Sequence, residues 1–253
     1  MTPLAVAAPP RGVPSLRARP RRPRATTPSC AAITVDVSSH ASDVAGAAAC
    51  RALSFSENVP SDRSAFARRA HVAMKIANET SSLTNKLLGA EVGYESVKVV
   101  LIVARAPASS SAYDVRALDP ASLSVRDGEA TSLIIGSLDI NIADRLPAEE
   151  LAGARDSGRR AYLSNVGVVP RARRVGVASR MIERASAIAR DAHGVDSLYV
   201  HVRRDNDAAI ALYARAGFVL EAAETAAAAS ALGRPARALL RRDVRRASSS
   251  RAS

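Results

Sequence analysis

RAYLSNVGVVPRARRVGVASRMIERASAIARDAHGVDSLYVHVRRDNDAAIALYARAGFVL, residues 160–220, reads in order as strand, glycine turn, helix, strand and helix. Tyr162, Ser164, Val166 and Val168 alternate as a strand does, and Pro170 with the basic turn Arg171 to Arg174 ends it. A helix then starts near Gly176. Its apolar positions Val177, Met181, Ala185, Ile188 and Ala192 recur at three- and four-residue steps, while Arg180, Glu183, Arg184 and Arg190 fall on the other side. One face is expected to be buried and the other wet.

Upstream, Ile33 to Val37 alternates as a short strand and Ser42 to Phe55 carries a helical spacing through Val44, Ala48 and Leu53. Asp62 to Leu88 continues helical, with Met74, Ile76, Leu83 and Leu87 on one side; the polar run at 78 to 82 is expected to interrupt it. Lys98 to Arg105 and Ser132 to Asp144 read as strands joined by a long polar connection, and a further loop runs from Leu146 to Arg159. A last strand lies near Arg237 to Val244.

With 253 residues, 47% hydrophobic but only 3% aromatic and no Trp, the core has to be built from Ala, Val, Leu and Ile. The net charge of +12 suggests a nucleic-acid partner until it is placed along the chain. Half of it lies in residues 1 to 35, which hold six Arg and no acid, and half in residues 234 to 253, so the body between is near neutral and nucleic acid is not the partner expected. The first 32 residues, rich in Arg, Pro, Ala, Ser and Thr, have the composition of a chloroplast transit peptide; a disordered basic tail is the alternative. That divides the chain into an address at 1–32, one catalytic domain at 33–244 and a basic tail at 245–253. No apolar run approaches the ~18 residues of a membrane span. The four His and two Cys show no ligand spacing, so no metal is expected.

Arg173-Arg174-Val175-Gly176-Val177-Ala178 matches the R/Q-x-x-G-x-G/A signature of GNAT-superfamily acetyltransferases, and VHVRRDNDAAIALYARAGF (200–218) resembles the second half of that superfamily's core. GSLDINIADRLP (136–147), AYLSNVGV (161–168), SLYVHVRRDN (197–206) and GRPARALL (233–240) narrow the resemblance to plant and algal plastid GNAT enzymes. It implies an α/β (α+β) fold: a mixed, mostly antiparallel sheet flanked by helices, whose parallel fourth and fifth strands splay apart. It also implies acetyl-CoA as co-substrate, protein lysines and N-termini as acceptors in the chloroplast, and direct attack of the amine on the thioester. Two alternatives remain: acetylation of a serotonin-type arylalkylamine, or a non-catalytic basic protein that binds through Arg234 to Arg251.

The residues bear on that resemblance physically. A pyrophosphate needs several N–H donors converging on one point, and the turn through Arg173, Arg174, Val175 and Gly176 into Val177, Ala178 and Ser179 offers them at a helix N-terminus. The resemblance places the pantetheine arm against the backbone of Val166, Gly167 and Val168, with an N–H near Val168 facing the thioester oxygen. Gly167 fits either a bulge or simple packing. Asn206 fits a cofactor contact, a helix N-cap, or both. Tyr213 fits either a packed aromatic or, by resemblance, the acid that protonates the leaving thiolate. Some GNAT enzymes carry a Glu on the fourth strand as base, but Leu163, Ser164 and Asn165 offer none, and the base is left unassigned. Asp139 and His201 are candidates, for each of which a structural role is the plainer reading.

Overall fold

The computed structural model describes residues 33–38, 40–55, 65–107, 124–127, 130–143 and 158–245. The proposed transit peptide, most of the 107–130 connection, most of the loop to Arg159 and nearly all of the basic tail fall outside these residues. Strand β1 (Thr34–Val37) is followed by helices α1 (Ala41–Ser54) and α2 (Ala65–Leu87), then by β2 (Lys98–Pro107), β3 (Ser124–Asp127), β4 (Ala130–Ile142) and β5 (Arg160–Val168). Helix α3 (Val177–His193), β6 (Ser197–Arg203), α4 (Asp207–Arg215), β7 (Val219–Ala223), α5 (Ala226–Ala231) and β8 (Arg237–Asp243) complete the domain. The strands form one sheet in the order β1-β2-β4-β5-β6-β8-β7, with β3 on β4; every pair is antiparallel except β5 and β6.

The sheet is gripped from both faces at one place. Gly136 on β4 lies under the start of α3: a Cβ there would meet Met181 Cε at 2.9 Å and Val177 Cγ1 at 3.0 Å. Gly167 on β5 lies under the end of α1, where a Cβ would sit 3.3 Å from the Ser54 side chain. The two glycines are neighbours in register, since Gly136 pairs with Val168 and Ser137 with Gly167. Both helices therefore reach the backbone itself, which holds the first turn of α3 firmly against β4.

Between those glycines and the far end of β5 the register slips, so that Asp139 pairs with Ser164 while Ser137 pairs with Gly167. One extra residue is accommodated on β5, and Asn165 takes a left-handed φ of 54° there. The slip inverts the alternation of β5. Ala161 and Leu163 face the core before it, Val166 and Val168 after it, so the single phase through Tyr162, Ser164, Val166 and Val168 expected from the sequence is broken at Asn165.

Other expectations are corrected in detail. Helix α2 runs unbroken through the polar stretch, because the Thr80 and Thr84 hydroxyls donate back to the carbonyls of Ile76 and Thr80, both at 2.8 Å, instead of competing with the helix. The buried stripe of α3 is Val177, Met181, Ile182, Ala185 and Ala189; Ile188 is only partly covered and Ala192 is exposed. Strands β3 and β7 and the short α5 were not anticipated: β7 is an edge strand with Val219 and Leu220 largely exposed, and it lacks an alternating signal. Among the described residues the arginines from 234 to 245 make ion pairs within the fold. Arg234 and Arg237 clamp Glu224, Arg242 pairs with Glu183 at 2.7 Å, Arg241 with Asp243, and Arg245 with Asp196 at 3.1 Å.

Candidate active site

The glycine turn delivers donors to one point. Arg174 and Gly176 both take left-handed backbone conformations, with φ 69° and 85°, and Gly176 caps α3. Among the described residues the N–H groups of Gly176, Val177, Ala178 and Ser179 have no hydrogen-bond partner; the first N–H to close the helix is that of Arg180, on the Gly176 carbonyl at 3.1 Å. No acid lies in the first turn to occupy them, and the Gly176 position is open, with no atom within 4 Å of where a Cβ would stand. Four donors at the positive end of a 17-residue helix make an anion-binding cradle. The exposed Arg174 has no charged partner among the described residues. Arg173, expected to add charge at the phosphates, is committed elsewhere: its Nε donates to the Val168 carbonyl at 3.1 Å and its guanidinium to the Ser54 carbonyl at 3.0 Å, tying α1 to β5. Val175 is partly buried against the core.

Beside the cradle the sheet opens. Strands β5 and β6 pair only at Arg160–Ser197, Ala161–Leu198 and Tyr162–Tyr199, although both continue beyond. The β6-facing edge of the second half of β5 is thus not bonded to β6. Val169 N–H donates to the Ile135 carbonyl of β4 at 3.0 Å, so by strand alternation the N–H of Val168 points the other way, toward the opening. The Val168 carbonyl on that edge is the one that Arg173 bonds. Gly167 does not make the bulge: Asn165 does, and Gly167 is small because Ser54 and Phe55 pack on it.

Helix α4 stands on the α3 side of this opening. Asn206 caps it, its Oδ1 accepting from the Ala209 N–H at 3.0 Å, which leaves the exposed Nδ2 without a partner among the described residues. Tyr213 is 6% exposed and packs edge-on against Phe218 with ring centroids 5.4 Å apart. Its hydroxyl has no hydrogen-bond partner among the described residues. Burial, and to a lesser degree the nearby Tyr162, push its phenol well above the ordinary tyrosine value, so it is protonated at neutral pH. Gly217, with φ 79°, turns the chain after α4 and sends Phe218 inward.

The opposite face carries a different set. Asp139 is 1% exposed, with one oxygen 2.5 Å from Arg51 and the other accepting from Asn165 at 2.8 Å. Arg51 also reaches Ser137 at 3.3 Å. Asp139 is therefore fully engaged in holding α1 and the bulge, and is no candidate base. Arg51 and Asn165 had no sequence signal, because nothing local marks a charge pair 88 residues apart. Further along, Asn141 donates to the Tyr162 carbonyl at 3.0 Å and to Ser164 Oγ at 2.8 Å, and the Tyr162 hydroxyl lies 3.0 Å from His201 Nδ1. Among the described residues no group of three or more His, Cys, Asp and Glu is placed to hold a metal ion, and no helix is long and apolar enough to cross a membrane.

Known proteins match this architecture. Residues 105–218 match the model of the acetyltransferase (GNAT) family. The chain is 35% identical, over 90% of its length and 84% of the relative's, to GCN5-related N-acetyltransferase 7, chloroplastic, of Arabidopsis thaliana. It is 34% identical over 97 residues, a third of either chain, to GCN5-related N-acetyltransferase 6, chloroplastic, of the same plant. Among solved structures, a GNAT-family protein from Desulfovibrio desulfuricans superposes with a TM-score of 0.50 at 14% identity, covering 84% of this chain and 99% of that one.

Proposed function

This chain belongs to the GNAT acetyltransferase family, and on that premise we propose that it transfers the acetyl group of acetyl-CoA to protein lysine side chains or N-terminal amines in the chloroplast. The observation that carries the reading is the parting of β5 from β6 beside four unclaimed N–H groups at the start of α3. The cradle formed by Gly176 to Ser179 takes the pyrophosphate and Arg174 adds charge to it. The pantetheine arm lies along Val166, Gly167 and Val168, where it completes the edge that β6 leaves unpaired, and Asn206 Nδ2 contacts it from α4. Val168 N–H meets the thioester oxygen as it gains charge. The amine attacks the carbonyl carbon directly, the C–S bond breaks, and Tyr213 gives its proton to the departing thiolate. The relatives named chloroplastic support the location.

The test supplies the full chain with isotopically labelled acetyl-CoA, a mixed set of peptides and serotonin, and reads products by mass spectrometry. Label on lysine or N-terminal nitrogen is the expected result. Label only on serotonin would move the reading to a small-molecule enzyme. No transfer to any amine, with acetyl-CoA binding intact, would overturn it.

A further inference from the structure

We infer that Tyr162 and His201 act together as the proton acceptor for the incoming amine, a role that no carboxylate among the described residues is placed to fill. The inference rests on the transferase reading and adds to it. A lysine amine, with an ordinary pKa of ~10.4, is almost wholly protonated at neutral pH and cannot attack until a proton is removed. On β5 the residues at the mouth of the opening are Leu163, Ser164 and Asn165, and the nearest β4 carboxylate, Asp139, is held on both oxygens by Arg51 and Asn165.

What the mouth does hold is a tyrosine and a histidine bonded across it. Tyr162 is the last residue of β5 that pairs with β6, opposite Tyr199, and its hydroxyl reaches over the start of the opening to His201, two residues further along β6, at 3.0 Å. The pair is half-buried, on the sheet face away from α3 and α4. Its place is set by its neighbours: Asn141 holds the Tyr162 carbonyl and the Ser164 hydroxyl, and the Asn141 Oδ1 is buried with no partner among the described residues. Among the described residues, the titratable and charged groups on that face include Tyr199 on the same strand as His201, Arg241 on β8 with its partner Glu221 at 3.9 Å, and the Asp139–Arg51 pair beyond Asn141. Tyr213 is on the other face, near enough to Tyr162 to be affected by it electrostatically. A thioester in the opening thus has an acid on one side and a tyrosine-histidine pair on the other.

The step balances. The ammonium passes a proton to the Tyr162 oxygen as the proton of Tyr162 moves to His201 Nδ1, which leaves a neutral amine, a neutral phenol and an imidazolium. The amine lone pair forms the C–N bond and the carbonyl π pair moves to oxygen. As the intermediate collapses the C–S bond breaks, the thiolate takes the Tyr213 proton, and the second proton lost from nitrogen restores Tyr213. The imidazolium returns its proton to water through the Tyr162 hydroxyl that its Nδ1 bonds. One ammonium and one thioester become one amide, one thiol and one proton.

The experiment compares the full-length wild type with Tyr162→Phe and His201→Gln on two acceptors: a lysine peptide with a blocked N-terminus, and a lysine-free peptide with a free N-terminal alanine. Rates are taken from pH ~6 to ~9, across the range in which histidine and α-amines titrate. With the lysine peptide both variants are expected to lose up to ~10²-fold in kcat near neutral pH. The loss should shrink as pH rises, and should be smaller for the α-amine, whose ordinary pKa of ~7.7–8.0 leaves more of it neutral. Acetyl-CoA affinity and melting temperature should stay near wild type. Tyr162→Phe keeps the ring and its packing, so it reports on the relay even where His201→Gln misfolds. Variants that match wild type, or that lose the same factor on both acceptors at every pH, would overturn the relay while leaving the transferase reading intact. A wild type that acetylates neither peptide, nor any other amine, would overturn the transferase reading itself and the relay with it.

Discussion

The two faces of the strand pair β4 and β5 treat polar groups in opposite ways. Toward α1, the buried charges among the described residues are paired: Arg51 meets Asp139 and Ser137, Asn165 meets the second oxygen of Asp139, and one oxygen of Asp43 meets Arg105. At the opening toward β6, donors and acids are left without partners among the described residues, namely the N–H groups of residues 176 to 179, the Asn206 amide and the Tyr213 hydroxyl. An apolar interior makes an unanswered charge costly, so the closed network holds the scaffold together. The open one is what a polar substrate has to complete. The closed network reaches β5 at the Asn165 bulge, and the open one lies across the gap that begins where β5 parts from β6 after Tyr162.

If that contrast is right, breaking the closed network should cost stability and breaking the open one should cost binding or rate. Asp139→Ala strips the counter-charge from a buried guanidinium and is expected to destabilise the domain by about 3–5 kcal/mol, read from chemical denaturation. Gly176→Glu puts a side chain on a left-handed residue and a negative charge into the cradle. Acetyl-CoA affinity, measured by calorimetry, should fall by ~100-fold or more while the fold survives. Tyr213→Phe leaves affinity nearly unchanged and should slow turnover by up to ~10²-fold; equal rates would remove its acid role. Asn206→Ala loses a helix cap, about 1 kcal/mol of stability, together with a modest part of acetyl-CoA affinity.

The smallest effect tests the contrast at the far edge of the sheet. Arg234 and Arg237 hold the Glu224 carboxyl well below the usual carboxylate range. A folded pKa lower than the unfolded one, ~4.3, means that Glu224 stabilises the fold above that pH and that its contribution fades as pH falls below it. The melting-temperature gap between wild type and Glu224→Gln should therefore be widest near neutral pH and narrow on acidification. Cys50 belongs to the closed side as well. Burial pushes its thiol up to about 11, so thiol reagents should label the native protein slowly at mildly alkaline pH and the unfolded protein readily.

Much of the architecture around the site was legible along the chain. The order strand, turn, helix, strand, helix from Arg160 to Leu220 follows from local periodicity, and the glycine before Val177 marks the helix start. The absence of an acid at Leu163 to Asn165 was equally plain. Less legible were β7, whose exposed edge carries no alternation, and the C-terminal arginines, which read as a basic tail until β8 brought them to Glu183, Asp196 and Glu224.

What the sequence determined by itself is the set of local conformations, because helix and strand periods, caps and turn residues act over a few neighbouring positions. What only the tertiary structure decided is which polar groups meet. A one-residue bulge at Asn165 sets which side of β5 each residue faces, and that phase puts Asn165 against Asp139, which Arg51 reaches from α1. The pairing of β5 with β6, three residues long and no more, brings Tyr162 to His201. Register is a property of two strands, and no periodicity within one of them contains it.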